Sequence, residues 1–217
     1  MIRSMVKTTG VAAARFAVGE GLETFRAYWW WMQKGKRNPP PPVVKWMAIR
    51  EYANRFKTIE LIETGTHEGD TLAAVREQFQ RLTSIELSDH YHRKASLRFD
   101  GDARIRLIQG DSGKVLPDLI QTLKRPTLFW LDGHYSQGLT ARGDADTPIS
   151  EELAAVLADT RFEHVALIDD ARLFVGQDGY PTLDALYATI RTKRPGYTMT
   201  VSDDIIRVHP EPPPYIR

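Results

Sequence analysis

The sequence predicts an α/β fold: a mostly parallel sheet ending in an antiparallel hairpin, with a helical arm in front of it. Three observations carry this. From about residue 58 onward, short apolar runs alternate with stretches of helical period, the pattern of βαβ units whose parallel sheet is covered on both faces. The last two apolar runs, 197–201 and 205–208, are separated only by Ser202, Asp203 and Asp204, and so short a link joins antiparallel strands. Almost every predicted strand also ends in an acid, and the carboxyl ends of strands are where open α/β sheets bind ligands.

The elements follow in order. Residues 11–33 read as a helix with Ala12, Phe16, Leu22, Phe25 and Trp29 on its apolar positions, although Gly19 and Gly21 weaken its middle. Trp29, Trp30 and Trp31 then meet Lys34, Lys36 and Arg37. The four prolines at 39–42 read as a short stiff polyproline connector rather than helix. Residues 43–55 form a second helix, and the reading assigns 1–57 to an arm and 58–217 to the main domain. Strands are predicted at 58–62, 82–87, 105–109, 127–131 and 164–168, before the closing pair. Helices are predicted at 71–79, 90–99, 113–123, 150–157 and 182–192, the fourth of these with Ser150 as its cap and Glu151 and Glu152 in its first turn.

Composition narrows the function. The chain has 217 residues, enough for one domain with an appendage, and its apolar and charged fractions are those of a globular protein. A net charge of +1 gives no basic field for nucleic acid. The absence of cysteine rules out disulfides, thiolate zinc sites and cysteine nucleophiles, and fits a cytoplasmic location. Residues 1–7 are basic and 11–18 mildly apolar, but Arg15 interrupts the run and Glu20 follows, so no cleaved signal is expected. The tryptophans beside the basic cluster fit a lid or a homodimer contact that buries them; contact with a membrane surface is the alternative.

The acids fall into three groups. In Glu63-Thr64-Gly65-Thr66-His67-Glu68-Gly69-Asp70-Thr71, glycines let backbone approach a ligand before a helix N-terminus. The spacing is not GxGxxG, and Glu63 and Glu68 lie where a pyrophosphate would sit; a zwitterionic amino acid bearing a sulfonium suits them better. A plain strand-to-helix turn is the structural alternative. Glu86, ending the second strand, is placed to accept both ribose hydroxyls of a nucleoside, whether of NAD or of S-adenosylmethionine. Asp111 and Ser112 after the third strand serve equally as a helix cap or as partners of an adenine edge. The third group is Asp132 with Asp169 and Asp170, at the ends of neighbouring strands. Three carboxylates together call for a cation, and all-oxygen donors suit magnesium, calcium or manganese. The alternative is ion pairing with Arg172 or Arg142.

The motifs ETGTHEGDT, SIELSD, IQGDSGKVLPDL, FWLDGHYS and ALIDDARLF, in this order, resemble the class I S-adenosylmethionine-dependent methyltransferases with their Rossmann-like sheet. The resemblance is to the catechol O-methyltransferase-like group, including macrocin-type sugar O-methyltransferases. It implies cofactor contacts from Glu63, Gly65, Thr66, Gly69, Thr71, Glu86, Asp111, Ser112 and Asp132. It also implies a divalent metal, magnesium by preference, on Asp132, Asp169 and Asp170; the last stands where catechol enzymes carry asparagine.

One departure matters. The catechol enzymes carry a catalytic lysine shortly after the first metal aspartate, and this chain has His134-Tyr135-Ser136 there. His134 becomes the substitute general base, working with Asp132; the alternatives for it are a metal ligand or a residue that supports one. Residues 135–147 are polar, and Tyr135, Arg142 and Arg172 are expected to contact a hydroxylated small-molecule acceptor such as a sugar or glycosylated natural product. His90, His92, His164 and His209 are expected at the surface or at strand ends. Three competing functions stay open: a metal-independent methyltransferase, an NAD(P)- or nucleotide-sugar-linked oxidoreductase, and a non-catalytic binding protein on the same fold.

Overall fold

A computed structural model describes residues 21–132 and 147–211. Within them the predicted strands are all present: β1 (Glu60–Thr64), β2 (Arg81–Glu86), β3 (Ile105–Gln109), β4 (Leu128–Leu131), β5 (Val165–Ile168), β6 (Tyr197–Ser202) and β7 (Ile205–Pro210). They form one sheet in the order β3-β2-β1-β4-β5-β7-β6. The first five run parallel, and β7 lies antiparallel to both β5 and β6. Asp203 and Asp204 both have positive φ, 52° and 62°, as a tight two-residue hairpin turn requires. The chain winds outward from β1 in both directions, so a crevice opens between β1 and β4, the position where such sheets take their ligands.

The helices are α1 (Leu22–Gln33), α2 (Pro42–Phe56), α3 (Asp70–Val75), α4 (Asp89–Arg98), α5 (Ser112–Gln121), α6 (Ile149–Ala158) and α7 (Leu183–Lys193). The period-2 alternation of strand side chains divides the core into two layers. In β4, Phe129 and Leu131 face Leu116, Ile120, Leu153, Leu157, Leu186 and Ile190 of α5, α6 and α7. Leu128 and Trp130 face the other way, among Ile49, Tyr52, Leu72, Ala95 and Phe99 of α2, α3, α4 and the residue after it.

Several expectations shift. The predicted helix 71–79 is α-helical only to Val75, then tightens to a 3-10 turn over Arg76–Gln78. The proline run does not stay outside the helix. Pro42 is the first residue of α2, where its missing N–H is one of the groups left unpaired in any case. α2, read from sequence as part of the arm, contributes Ala48, Ile49, Tyr52 and Ala53 to the core beneath the sheet.

Of the predicted helix 11–33, α1 accounts for the second half, and residues 11–20 lie outside the described residues. Trp31 is buried with Val43 and Val44, and its indole N–H donates to the Arg37 carbonyl at 2.8 Å. Trp29 and Trp30 are half exposed, the latter with Lys34 over its ring. His164, directly before β5, and His209, near the end of β7, stand at strand ends as expected, and both are buried rather than superficial. His164 pairs with Asp159 and the Thr127 amide, and His209 packs on Tyr52 and Phe56. Among the described residues no helix is long and apolar enough to cross a membrane.

Candidate cofactor and cation site

The first part of the site is the turn between β1 and α3. Gly65 and Gly69 have φ of 81° and 78°, the left-handed region that suits glycine. A Cβ at Gly69 would also lie 2.5 Å from the Phe99 ring, so this position needs glycine twice over. The turn is closed by Gly65 N–H donating to the Ile85 carbonyl at 3.0 Å and Gly69 N–H donating to Thr66 at 2.8 Å.

Glu63 sits inside β1, fully buried, and accepts a hydrogen bond from Ser84 Oγ at 2.6 Å; Ser84 in turn is 2.6 Å from Thr66 Oγ1. Burial pushes its pKa up to about 8, against a smaller opposite pull from Ser84, and Asp132 and Glu86 add to the rise. Thr71 lies close enough to Glu63 to favour its charged form. A buried acid with this shift is neutral in the free protein at pH 7 and ready to ionise beside a cationic ligand.

Glu86 ends β2 as expected. Its two oxygens accept the His67 and Ser88 amides at 2.7 and 2.8 Å. The carboxylate is therefore fixed in direction, and each oxygen retains a lone pair for a ligand hydroxyl. His67 takes φ of 47° to reach it and stacks on Tyr91, ring centroids 4.2 Å apart. Asp111 caps α5 by accepting the Gly113 amide at 3.0 Å. Ser112 opens that helix and is buried. The capping alternative for Asp111 is thus realised, and its second carboxylate oxygen lies 3.6 Å from the Lys114 ammonium.

The second part lies across the crevice. Asp132 follows β4, its amide donating to Thr64 at 3.2 Å. Asp169 and Asp170 follow β5, the Asp169 amide donating to Leu131 at 3.0 Å. One carboxylate oxygen from each of the three falls within 4.8 Å of the others. Asp169 Oδ1 is buried and has no hydrogen-bond partner among the described residues. Burial, then the neighbouring Asp132, push the Asp169 pKa up to about 7. An all-oxygen donor set with an orphaned buried acceptor fits magnesium or manganese.

Two protein cations also reach this cluster. Lys45 of α2 donates to Asp169 Oδ2. Burial lowers its pKa, but Asp132, Asp169 and Asp170 outweigh this and raise it, so it is an ammonium. Arg172 donates to Asp170 at 2.7 Å and to Asp204 of the hairpin turn. The ion-pair alternative for Arg172 is the arrangement found; both carboxylates hold its guanidinium.

Sequence reasoning missed Lys45 and Glu152. Glu152, expected only as a first-turn acid of α6, is turned inward and completely buried. Neither of its oxygens makes a hydrogen bond of ordinary geometry, although Ser112 and Thr64 are near, and burial raises its pKa to about 7. Its inward direction had one signal: Ile149, Leu153 and Val156 flank it on the buried face. Among the predicted site residues, His134, Tyr135 and Arg142 lie outside the described residues.

No protein-family model and no curated protein sequence matches the chain. Solved structures do. The O-methyltransferase TomG from Streptomyces achromogenes, in complex with SAM, superposes with a TM-score of 0.59 at 16% identity, covering 94% of this chain and 95% of that one. The chain has the fold of the class I methyltransferases. The Bacillus cereus O-methyltransferase in complex with SAH matches at 10% identity and TM-score 0.58, over 94% of this chain and 97% of that one. A putative caffeoyl-CoA O-methyltransferase from Staphylococcus aureus matches at 11% and 0.57, over 94% and 99%. The methyltransferase fold places the glycine turn, Glu86 and the three aspartates on one rim of the sheet, at the carboxyl ends of β1, β2, β4 and β5.

Proposed function

We propose that the chain is an S-adenosylmethionine-dependent O-methyltransferase, assisted by a divalent metal, acting on a polar hydroxylated small molecule. One observation carries the reading: a buried acid of raised pKa, Glu63, lies between a left-handed glycine turn and a backbone-anchored Glu86, on the same rim as three converging carboxylates.

When bound, S-adenosylmethionine supplies an electrophilic methyl group, and magnesium on the aspartates polarises acceptor oxygens. The remaining work belongs to the chain. Glu86 receives the ribose hydroxyls, and Gly65 and Gly69 admit the methionine portion to the backbone. Glu63 ionises to face positive charge. Asp132, Asp169 and Asp170 would hold the metal and, through it, turn the acceptor hydroxyl toward the methyl group. Methyl transfer would turn the acceptor hydroxyl into a methyl ether and leave the sulfur its electron pair, and His134 would take the hydroxyl proton. The products are a methyl ether, S-adenosylhomocysteine and a proton. The polar composition of residues 135–147, with Tyr135 and Arg142, supports a sugar-like acceptor. Arg172, engaged by two carboxylates, is left out of the acceptor set.

Calorimetry tests this. S-adenosylhomocysteine binds and NAD does not; the reverse favours an oxidoreductase, and binding without turnover on any hydroxylated acceptor favours a binding protein. Asp132→Asn and Asp169→Asn abolish metal binding and turnover. A second reading, methyl transfer without metal, draws on Lys45 and Arg172 already neutralising two of the three aspartates; turnover unchanged by a chelator would establish it.

A further inference from the structure

The catechol-like resemblance leaves this chain without a lysine next to Asp132 in sequence. The fold brings one there from elsewhere. Lys45 lies on α2, 124 residues from Asp169 in sequence, and its ammonium rests on a carboxylate that is 1% exposed. Its own side chain is 21% exposed, so the flexible stem has a way out to solvent. The other oxygen of Asp169 is buried without a hydrogen-bond partner among the described residues. Lys45 is therefore the cation at Asp169, Arg172 being the one at Asp170, and it leaves one buried oxygen of Asp169 unsatisfied.

We propose that Lys45 is the resident counter-ion of the Asp132, Asp169 and Asp170 cluster, and that a divalent metal enters only by displacing its ammonium. This rests on the reading of the three aspartates as the cation site, and not on the identity of cofactor or acceptor. The physical argument is charge at close quarters. An ammonium and a divalent ion on the same carboxylates repel at contact distance in a partly buried site. Asp169 and Asp170 are buried, with Asp132 close by, and they need compensation in the metal-free protein, because burying carboxylates unneutralised is unfavourable. Lysine suits the role better than arginine would: its ammonium is a compact point charge on a mobile stem, not a planar fork fixed by several bonds. Lys45 thus keeps the metal-free rim folded and lowers its affinity for metal.

The test is a Mn2+ titration of the full chain by calorimetry, with Lys45→Gln and Lys45→Arg beside the unaltered protein. Lys45→Gln is expected to bind Mn2+ at least about 10-fold more tightly, a step of about 1.4 kcal/mol. Its metal-free melting temperature falls, and Mn2+ raises it more than it raises that of the unaltered chain. Lys45→Arg keeps the weaker affinity. Equal or weaker Mn2+ binding by Lys45→Gln overturns the proposal, as does absence of measurable binding in both proteins. Should Lys45→Gln fail to fold without metal, refolding in millimolar Mn2+ decides: recovery supports the displacement, and no recovery overturns it. S-adenosylhomocysteine is titrated separately, so failure of the cofactor reading is seen apart from failure of this one.

Discussion

The two halves of the rim neutralise buried acids in opposite ways. At the ends of β1 and β2, Glu63 and Glu86 are met by hydroxyls and backbone amides, from Ser84, His67 and Ser88. At the ends of β4 and β5, Asp169 and Asp170 are met by the protein cations Lys45 and Arg172. Hydroxyls and amides stabilise a carboxylate without cancelling its charge, so Glu63 holds a proton instead. The first half is thus arranged to exchange a proton for a positively charged ligand. The second half already contains its positive charge, and any further cation must compete for the oxygens.

The largest expected effect is on the pH dependence of stability, and it belongs to the first half. Glu63 has its pKa raised from 4.5 to about 8 on folding. Between these values the folded state holds a proton that the unfolded state has lost, so stability falls as pH rises through this window. The slope approaches about 1.4 kcal/mol per pH unit for this one group. Urea unfolding of the ligand-free chain from pH 5 to 8 measures it. Glu63→Gln, which cannot ionise, makes the fall shallower by that slope and leaves the contributions of Glu152 and Asp169, whose pKa values burial raises to about 7; an unchanged curve means Glu63 is charged in the free protein.

Next comes Glu86→Ala. It removes the group that fixes the His67 and Ser88 amides and leaves both without their partner. S-adenosylhomocysteine affinity is expected to fall about 100-fold, the equivalent of two to three strong hydrogen bonds. A loss under about threefold in calorimetry would remove Glu86 from the nucleoside site.

Much of this rim was legible in sequence, and the reasons are local. A strand ends where its apolar run ends, so Glu63, Glu86, Asp132 and Asp169 fall at one edge by sequence alone. The turn at Gly65 and Gly69 was legible because positive φ selects glycine. What was not legible depends on contacts distant in sequence. Lys45 looked like one more basic residue beyond a proline run, and only the packing of Ile49 and Tyr52 under the sheet turns α2 so that Lys45 meets Asp169. Glu152 looked like a first-turn acid, since helix N-termini favour acids for their own reasons; burial, not spacing, makes it part of the rim. His164 stands at a strand end as read, directly before β5, but that it is buried, by its bonds to Asp159 and Thr127, was not legible.

Gly69→Ala gives a smaller effect, on the cofactor half alone. The added methyl meets the Phe99 ring and a backbone at φ of 78°. Stability is expected to drop by about 2 kcal/mol, read as a lower denaturation midpoint in the ligand-free chain. Mn2+ affinity should not change, because the added methyl meets Phe99 and not the aspartates. A change in Mn2+ binding would mean the two halves are mechanically coupled.

The smallest expected effect is that of Arg172→Gln, on the other half. Arg172 joins Asp170 to Asp204, and its backbone amide donates to Asp204 as well, at 2.9 Å. The backbone bond survives the substitution. The guanidinium is 36% exposed, so water screens much of its attraction, and the loss should be about 1 kcal/mol. Glutamine retains a donor for one of the carboxylates but no charge. If the carboxylate half is held by charge, Arg172→Gln should also tighten Mn2+ binding, and by less than Lys45→Gln, because Arg172 reaches only Asp170 of the three. Equal gains from both substitutions would show that net charge alone sets affinity, wherever the cation sits. A gain confined to Lys45→Gln would locate the competition at Asp169, the carboxylate with the orphaned oxygen.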